Sequence, residues 1–131
     1  MSLNIDIRFG IDDRIIPYMN GKEITMEDSP FVVFLATAGM CSAVFVKAFT
    51  QQRGLNHNDI IITQKMDYNQ FTNHISAIDI HLELPESFPV KYTNAIKKVI
   101  NQCPVKQHLI DVPTFEVITN FDNAEEKKIA V

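Results

Sequence analysis

Ser29-Pro30-Phe31-Val32-Val33-Phe34-Leu35-Ala36-Thr37-Ala38-Gly39-Met40-Cys41-Ser42-Ala43-Val44-Phe45-Val46-Lys47-Ala48-Phe49 is the stretch on which the fold turns. It reads as one long, almost wholly apolar helix with a thiol at its middle, uncharged from Phe31 to Val46. Glu27 and Asp28 precede it and Lys47 and Arg53 stand near its end, the order that suits a helix dipole. Ser29 is placed to cap the helix, Pro30 fits its first turn, and Gly54 is the expected stop. A helix apolar on all sides must be surrounded by protein or by lipid. A membrane span takes about 20 apolar residues. The uncharged stretch is shorter and is interrupted by Thr37, Gly39 and Ser42. The expectation is a buried central helix and no membrane partner.

The chain has 131 residues, 46% apolar and 21% charged, which fits one globular domain with a sizeable core. Net charge is −4 and no basic cluster is present, which argues against nucleic acid as a partner. Residues 1–10 carry no basic start followed by an apolar core, so no signal peptide is expected and the cytoplasm is the expected location. Two cysteines in a reducing compartment are more often free, metal-bound or catalytic than a structural disulfide. No CxxC or HxxxH spacing supports a zinc site.

Around the helix the chain reads as strands and one further helical region. Residues 3–9 alternate apolar and polar as a half-buried strand, and residues 10–13 turn. Residues 14–19 form a second strand that Pro17 confines to an edge or an end. Asn20-Gly21 is a strong hairpin signal, with residues 22–26 as the returning strand. Residues 59–68 are a strand with Ile60, Ile62, Gln64 and Met66 on one face. Residues 74–84 alternate, with Ser76, Ile78, Ile80, Leu82 and Leu84 inward. That alternation sets His74 and His81 on opposite faces, so they make no pair. Residues 91–102 are an amphipathic helix whose apolar face is Tyr92, Ala95, Ile96, Val99 and Ile100. Residues 114–120 are a last strand, and residues 121–131 are expected to fray. The fold class is therefore α+β, with a mainly antiparallel sheet packed on helices. One small chain leaves part of an all-round apolar helix uncovered, so a homodimer is expected.

The chemistry rests on two thiols. Cys41 lies mid-helix with no local group to stabilise a thiolate, and a buried thiol there is ordinarily a small apolar filler. Cys103 precedes Pro104 at a helix break. If Pro104 opens a new helix, Cys103 is its N-cap, and the amides of Val105 and Lys106 or the Lys106 ammonium favour its thiolate. His57 and His108 read as a loop residue and a surface or packing residue, and Arg8 and Arg14 as solvated or as reaching a site.

The helix opened by Ser29-Pro30 with its mid-helix Cys41, followed by Leu84-Pro85, Phe88-Pro89, Tyr92 and then Cys103-Pro104-Val105, resembles the OsmC/Ohr-like superfamily, nearest its less characterised OsmC-like branch. The resemblance runs from about Ser29 to Asn120, leaving residues 1–28 as N-terminal strands and 121–131 as a tail of a single domain. It implies an intertwined homodimer with sheets wrapped around long central helices. In the peroxidase branches it also implies attack of the Cys41-equivalent thiolate on an organic hydroperoxide. Resolution by the Cys103-equivalent thiol and reduction by a dithiol follow, with no metal or organic cofactor. Those branches carry a glutamate near the helix start that holds an arginine over the thiolate. Here the matching position holds Phe31, followed by Val32, and neither accepts a hydrogen bond from guanidinium. Glu27, Arg14 or a group from a second subunit are the replacements open to it. A peroxidase-like redox protein using Cys41 and Cys103 is the leading reading. The alternatives are a non-enzymatic binder of small hydrophobic ligands, its pocket lined by Phe31, Phe34, Phe45 and Phe49, and a purely structural or partner-binding domain.

Overall fold

A computed structural model describes residues 1–122 and the backbone of residues 129–130. The elements in order are β1 (Ser2–Phe9), β2 (Ile15–Met19), β3 (Lys22–Glu23), α1 (Pro30–Gln52), β4 (Ile61–Asn69), β5 (His74–Glu83), α2 (Thr93–Asn101), α3 (Pro104–Ile110), β6 (Glu116–Val117) and β7 (Ile129–Ala130). One sheet has the order β3-β2-β1-β4-β5, and β6 pairs with β7 apart from it. Every pairing is antiparallel, as expected of an α+β chain in which helices cover one sheet face.

The opening helix forms as its ends dictate. The Ser29 hydroxyl accepts from the Val32 N–H (3.3 Å), Pro30 occupies the first turn, and Gly54 follows the Arg53 cap at φ +66°. By length and composition α1 is apolar enough to cross a membrane, with a mean hydropathy of 1.9. It is instead the core helix of this fold. Leu35, Ala36, Ala43 and Val46 are buried against Ile5, Ile7, Ile62 and Met66 of the sheet. The burial is one-sided: Phe31, Phe34 and Val44 are 40%, 48% and 52% exposed.

Gly39 marks a close approach of helix and sheet. A Cβ there would lie 2.9 Å from Gln64 Oε1 and 3.0 Å from the Ile7 side chain. Gln64 is itself wholly buried, and its Nε2 donates to the Leu35 carbonyl (2.8 Å). Gly39→Ala is expected to lower stability by about 1–3 kcal/mol through overpacking, more than the roughly 1 kcal/mol that helix propensity returns. Urea unfolding of the two proteins checks this.

The strand expectations hold with four differences. Asn20 and Gly21 take φ of +53° and +78°, as a type I′ hairpin turn requires. The returning strand, however, is only Lys22–Glu23. The chain leaves it in a turn closed by Asp28 Oδ2 accepting from the Thr25 N–H (2.7 Å). Pro17 lies mid-strand in β2, inside the sheet order rather than at an edge or an end, and forgoes one bond on the β3 side. Its carbonyl accepts from the Ile24 N–H (2.8 Å), so its donor-less nitrogen faces the same side, and the β2–β3 ladder stops there. In β5 the register shifts so that Tyr68 opposes Ile75 and Asp67 opposes Ala77, leaving Ser76 as an extra, exposed residue. Ile75 therefore joins the inner face in place of Ser76. His74 and His81, paired with Asn69 and Thr63, share the outer face rather than taking opposite ones. Ile60, Ile62, Gln64 and Met66 are buried together on the inner face as expected. The last strand is shorter than expected, Glu116–Val117. Apart from the backbone at 129–130, the expected fraying of the tail beyond residue 122 falls outside the described residues.

Candidate functional site

Cys41 projects from the middle of α1, where the neighbours one turn away are half-buried Thr37 and Phe45. Cys103 lies between α2 and α3. It caps α3 with Pro104 at the first position, the arrangement expected from the helix break. Its N–H donates to the Ile100 carbonyl (3.1 Å) and its carbonyl accepts from the Gln107 N–H (3.0 Å). The apolar face of α2 sets its position: Ile96 and Ile100 are buried and draw the α2 C-terminus down beside α1. The two cysteines, 62 residues apart in sequence, meet as a disulfide with a Cα–Cα distance of 6.1 Å. The two sulfurs are not equally open. Cys103 is 1% exposed, whereas Cys41 is partly exposed.

The three arginines and Lys106 are each engaged by other groups. The Arg8 guanidinium sits over the Tyr18 ring at 5.0 Å. Arg14 pairs with Asp12 (3.2 Å), whose carboxyl is held below its usual range, first by the Arg14 backbone N–H and also by its guanidinium. Arg53 lies on the Phe49 ring at 3.6 Å and donates to the Phe49 carbonyl, at the far end of α1. These are all the arginines of the sequence. The Lys106 ammonium is bonded to Asn101 Oδ1. Phe31 stacks on Phe34 with ring centroids 6.4 Å apart, so the helix start presents an aromatic pair. Glu27, the other candidate replacement, is an exposed turn residue whose N–H donates to Thr25 Oγ1 (3.2 Å).

Beside α1 a groove of about 1150 Å³ opens between the helix, β5, α2 and α3. Its apolar walls include Phe31, Phe34, Ile78, Ile80, Leu82 and Ile100. Phe31 and Phe34 thus line a groove as the binding reading expects. Phe45 and Phe49 do not line it, and Phe49 is buried beneath Arg53 and Tyr92.

A further polar constellation is not visible in the sequence. His57, 7% exposed, bonds through Nε2 to Asp13 Oδ1 (3.1 Å), while its ring meets Phe9 edge to face. The other Asp13 oxygen lies 3.8 Å from Lys47 Nζ. Asp13 has φ +62°, which aims its carboxylate back over the helix. Residues 44 apart carry no local pattern for such a pair. Among the described residues no group of three potential ligands could hold a metal ion.

The family model for OsmC-like protein matches residues 25–118. The chain belongs to the OsmC-like family. No curated protein matches it. Among solved structures it is similar to an OsmC-like hydroperoxide resistance protein from Jannaschia sp. CCS1. That likeness has a TM-score of 0.64 at 13% identity and covers 99% of this chain and 97% of the other. At that identity the likeness is one of fold, and it extends the fold's reach over the N-terminal strands that precede residue 25.

Proposed function

We propose that this chain is a thiol-dependent hydroperoxide reductase in which Cys41 reacts and Cys103 resolves. The Cys41 thiolate attacks one oxygen of an organic hydroperoxide. The O–O bond breaks, an alcohol leaves, and Cys41 becomes a sulfenic acid. The Cys103 thiol then attacks the Cys41 sulfur, water leaves, and the disulfide forms. A dithiol reduces the pair and is itself oxidised to a disulfide. The observation that carries this reading is the meeting of two sequence-distant cysteines, one partly exposed and one buried, within an OsmC-like chain. Consumption of an organic hydroperoxide by wild-type protein with a dithiol tests it. A rate equal to that of the dithiol alone rejects it.

The same reading includes a cytoplasmic homodimer. A monomer leaves Phe34, Phe115 and Phe121 at 48%, 61% and 87% exposure, together with the long free edge of β5. Surface of this kind calls for a partner, and a second copy supplies matching apolar surface. The solution mass is expected to be twice the 14.9 kDa of one chain, read by light scattering after size exclusion. A monomer mass at micromolar concentration would overturn it. A second reading, favoured by the apolar groove, is capture of a small hydrophobic ligand. Organic extraction of purified protein followed by mass spectrometry separates the two, because a binding protein retains ligand whether or not its thiols are intact.

A further inference from the structure

We infer that Gln64 is a positioning residue: it fixes the rotation and the axial position of α1 on the sheet, and through them the direction in which Cys41 points. A helix apolar on all sides lacks the usual means of alignment, because burying one face gains about as much as burying another. Something other than hydrophobicity has to choose. The buried polar side chains among the described residues are Ser42, Thr50, His57 and Gln64. Ser42 and Thr50 bond to carbonyls of α1 itself, and His57 bonds to Asp13 on the β1–β2 turn. Of these, Gln64 alone joins sheet to helix. It stands on β4 between β1 and β5, opposite Ile5 and Ile80, and its Nε2 donates to the Leu35 carbonyl (2.8 Å).

That bond fits one place along the helix. Within α1 the Leu35 carbonyl already serves the N–H four residues on, at Gly39, and keeps a second lone pair for Nε2. Gly39 is the only glycine of α1, and a Cβ there would lie 2.9 Å from Gln64 Oε1. Sliding or turning α1 by one residue therefore sets a β-carbon against the amide and takes its acceptor away. The amide cannot turn over to adapt, since Oε1 would then face the Leu35 carbonyl, acceptor against acceptor. Net stability does not account for Gln64. Its Oε1 is buried with no hydrogen-bond partner, a cost that an apolar side chain of the same length does not carry. What such an amide supplies is alignment, as one buried polar residue sets the register between apolar helices. Cys41 stands two residues past Gly39, roughly 200° around the axis. Holding Gly39 on the sheet thus turns the thiol away from it, to where Cys103 meets it. Leu35, Gly39 and Gln64 are all buried on the sheet side of α1, so nothing depends on what covers the open side.

The test is Gln64→Met in the full chain, which keeps the length of the side chain and removes the donor. The variant is expected to melt within about 5 °C of wild type. Its α1 amide NMR signals are expected to double or broaden as the helix samples more than one alignment. Equilibrated with glutathione, its Cys41–Cys103 disulfide is expected to be at least about threefold less favoured than in wild type, because only the wild-type alignment brings the thiols together. Thr50→Val removes a buried hydroxyl that bonds within α1 only, and is expected to leave both the spectrum and the disulfide equilibrium unchanged. A single sharp set of α1 signals or an unchanged disulfide equilibrium in Gln64→Met overturns the inference. So does a melting point lowered by more than about 5 °C, or failure to fold, because the amide would then hold the fold together rather than align it. Equal effects in Thr50→Val overturn it as well. No step involves a hydroperoxide, so these outcomes are read independently of the peroxidase proposal.

Discussion

Cys41→Ser is expected to reduce dithiol-dependent hydroperoxide consumption by about a hundredfold or more, down to the rate of the dithiol alone. A serine hydroxyl is not ionised near neutral pH and cannot form a sulfenic acid. Cys103 cannot substitute, because at 1% exposure it is closed to a peroxide in solution. Cys103→Ser should behave differently. Its Cys41 still attacks, so one equivalent of hydroperoxide disappears in a burst. With no resolving thiol alongside, the sulfenic acid persists, and excess hydroperoxide carries Cys41 to the sulfinic acid, read as a gain of about 32 Da. An external thiol rescues turnover only if it reaches the sulfenic acid before a second peroxide does. The pair of variants therefore separates attack from resolution, and a Cys41→Ser protein as fast as wild type removes the proposed mechanism outright.

Most of the architecture was legible in the linear pattern because its signals are local. Ser29-Pro30 and Gly54 bound α1, Asn20-Gly21 makes the turn, and the alternation through Ile60, Ile62, Gln64 and Met66 gives the buried face of β4. Cys103-Pro104 announced the start of α3 in the same way. What the pattern could not carry is set by tertiary partners. The extra residue at Ser76 is defined only by what stands opposite in β4, so simple alternation gives β5 the wrong phase upstream of it. The length of β3 was decided by the Asp28 carboxylate capturing the Thr25 N–H. The bond of His57 to Asp13 depends on a positive φ at Asp13, which no neighbouring glycine signals. Periodicity likewise gave α1 as apolar on all sides without saying which side this chain covers. The sheet takes the side of Gly39, Ala43 and Val46, while Phe34 and Val44 remain open.

Phe49→Ala is expected to be the most destabilising of the single substitutions considered, by about 3–5 kcal/mol. Phe49 is the largest of the fully buried side chains, at 2% exposure in the last turns of α1. It works as a hub. The Tyr92 ring meets it edge to face at 5.9 Å, and Phe88 in turn packs on Tyr92 at 6.5 Å. The Arg53 guanidinium lies over its face at 3.6 Å. Truncation removes the apolar area of the ring and leaves a cavity between α1 and the segment leading into α2. It also strips Arg53 of the surface that holds it, though its bond to the Phe49 backbone carbonyl can persist. For a chain of 131 residues the loss corresponds to a fall in Tm on the order of 10–20 °C. The consequence reaches the thiol site, since α2 delivers Cys103 to α1: slower disulfide formation after diamide is expected even at temperatures where Phe49→Ala remains folded. Phe71→Ala is the control. Phe71 is 89% exposed at the tip of the β4–β5 hairpin, and its loss should change stability by no more than about 0.5 kcal/mol. Thermal melts that place the two variants within about 1 kcal/mol of each other would show that the aromatic cluster does not fasten α2 to α1.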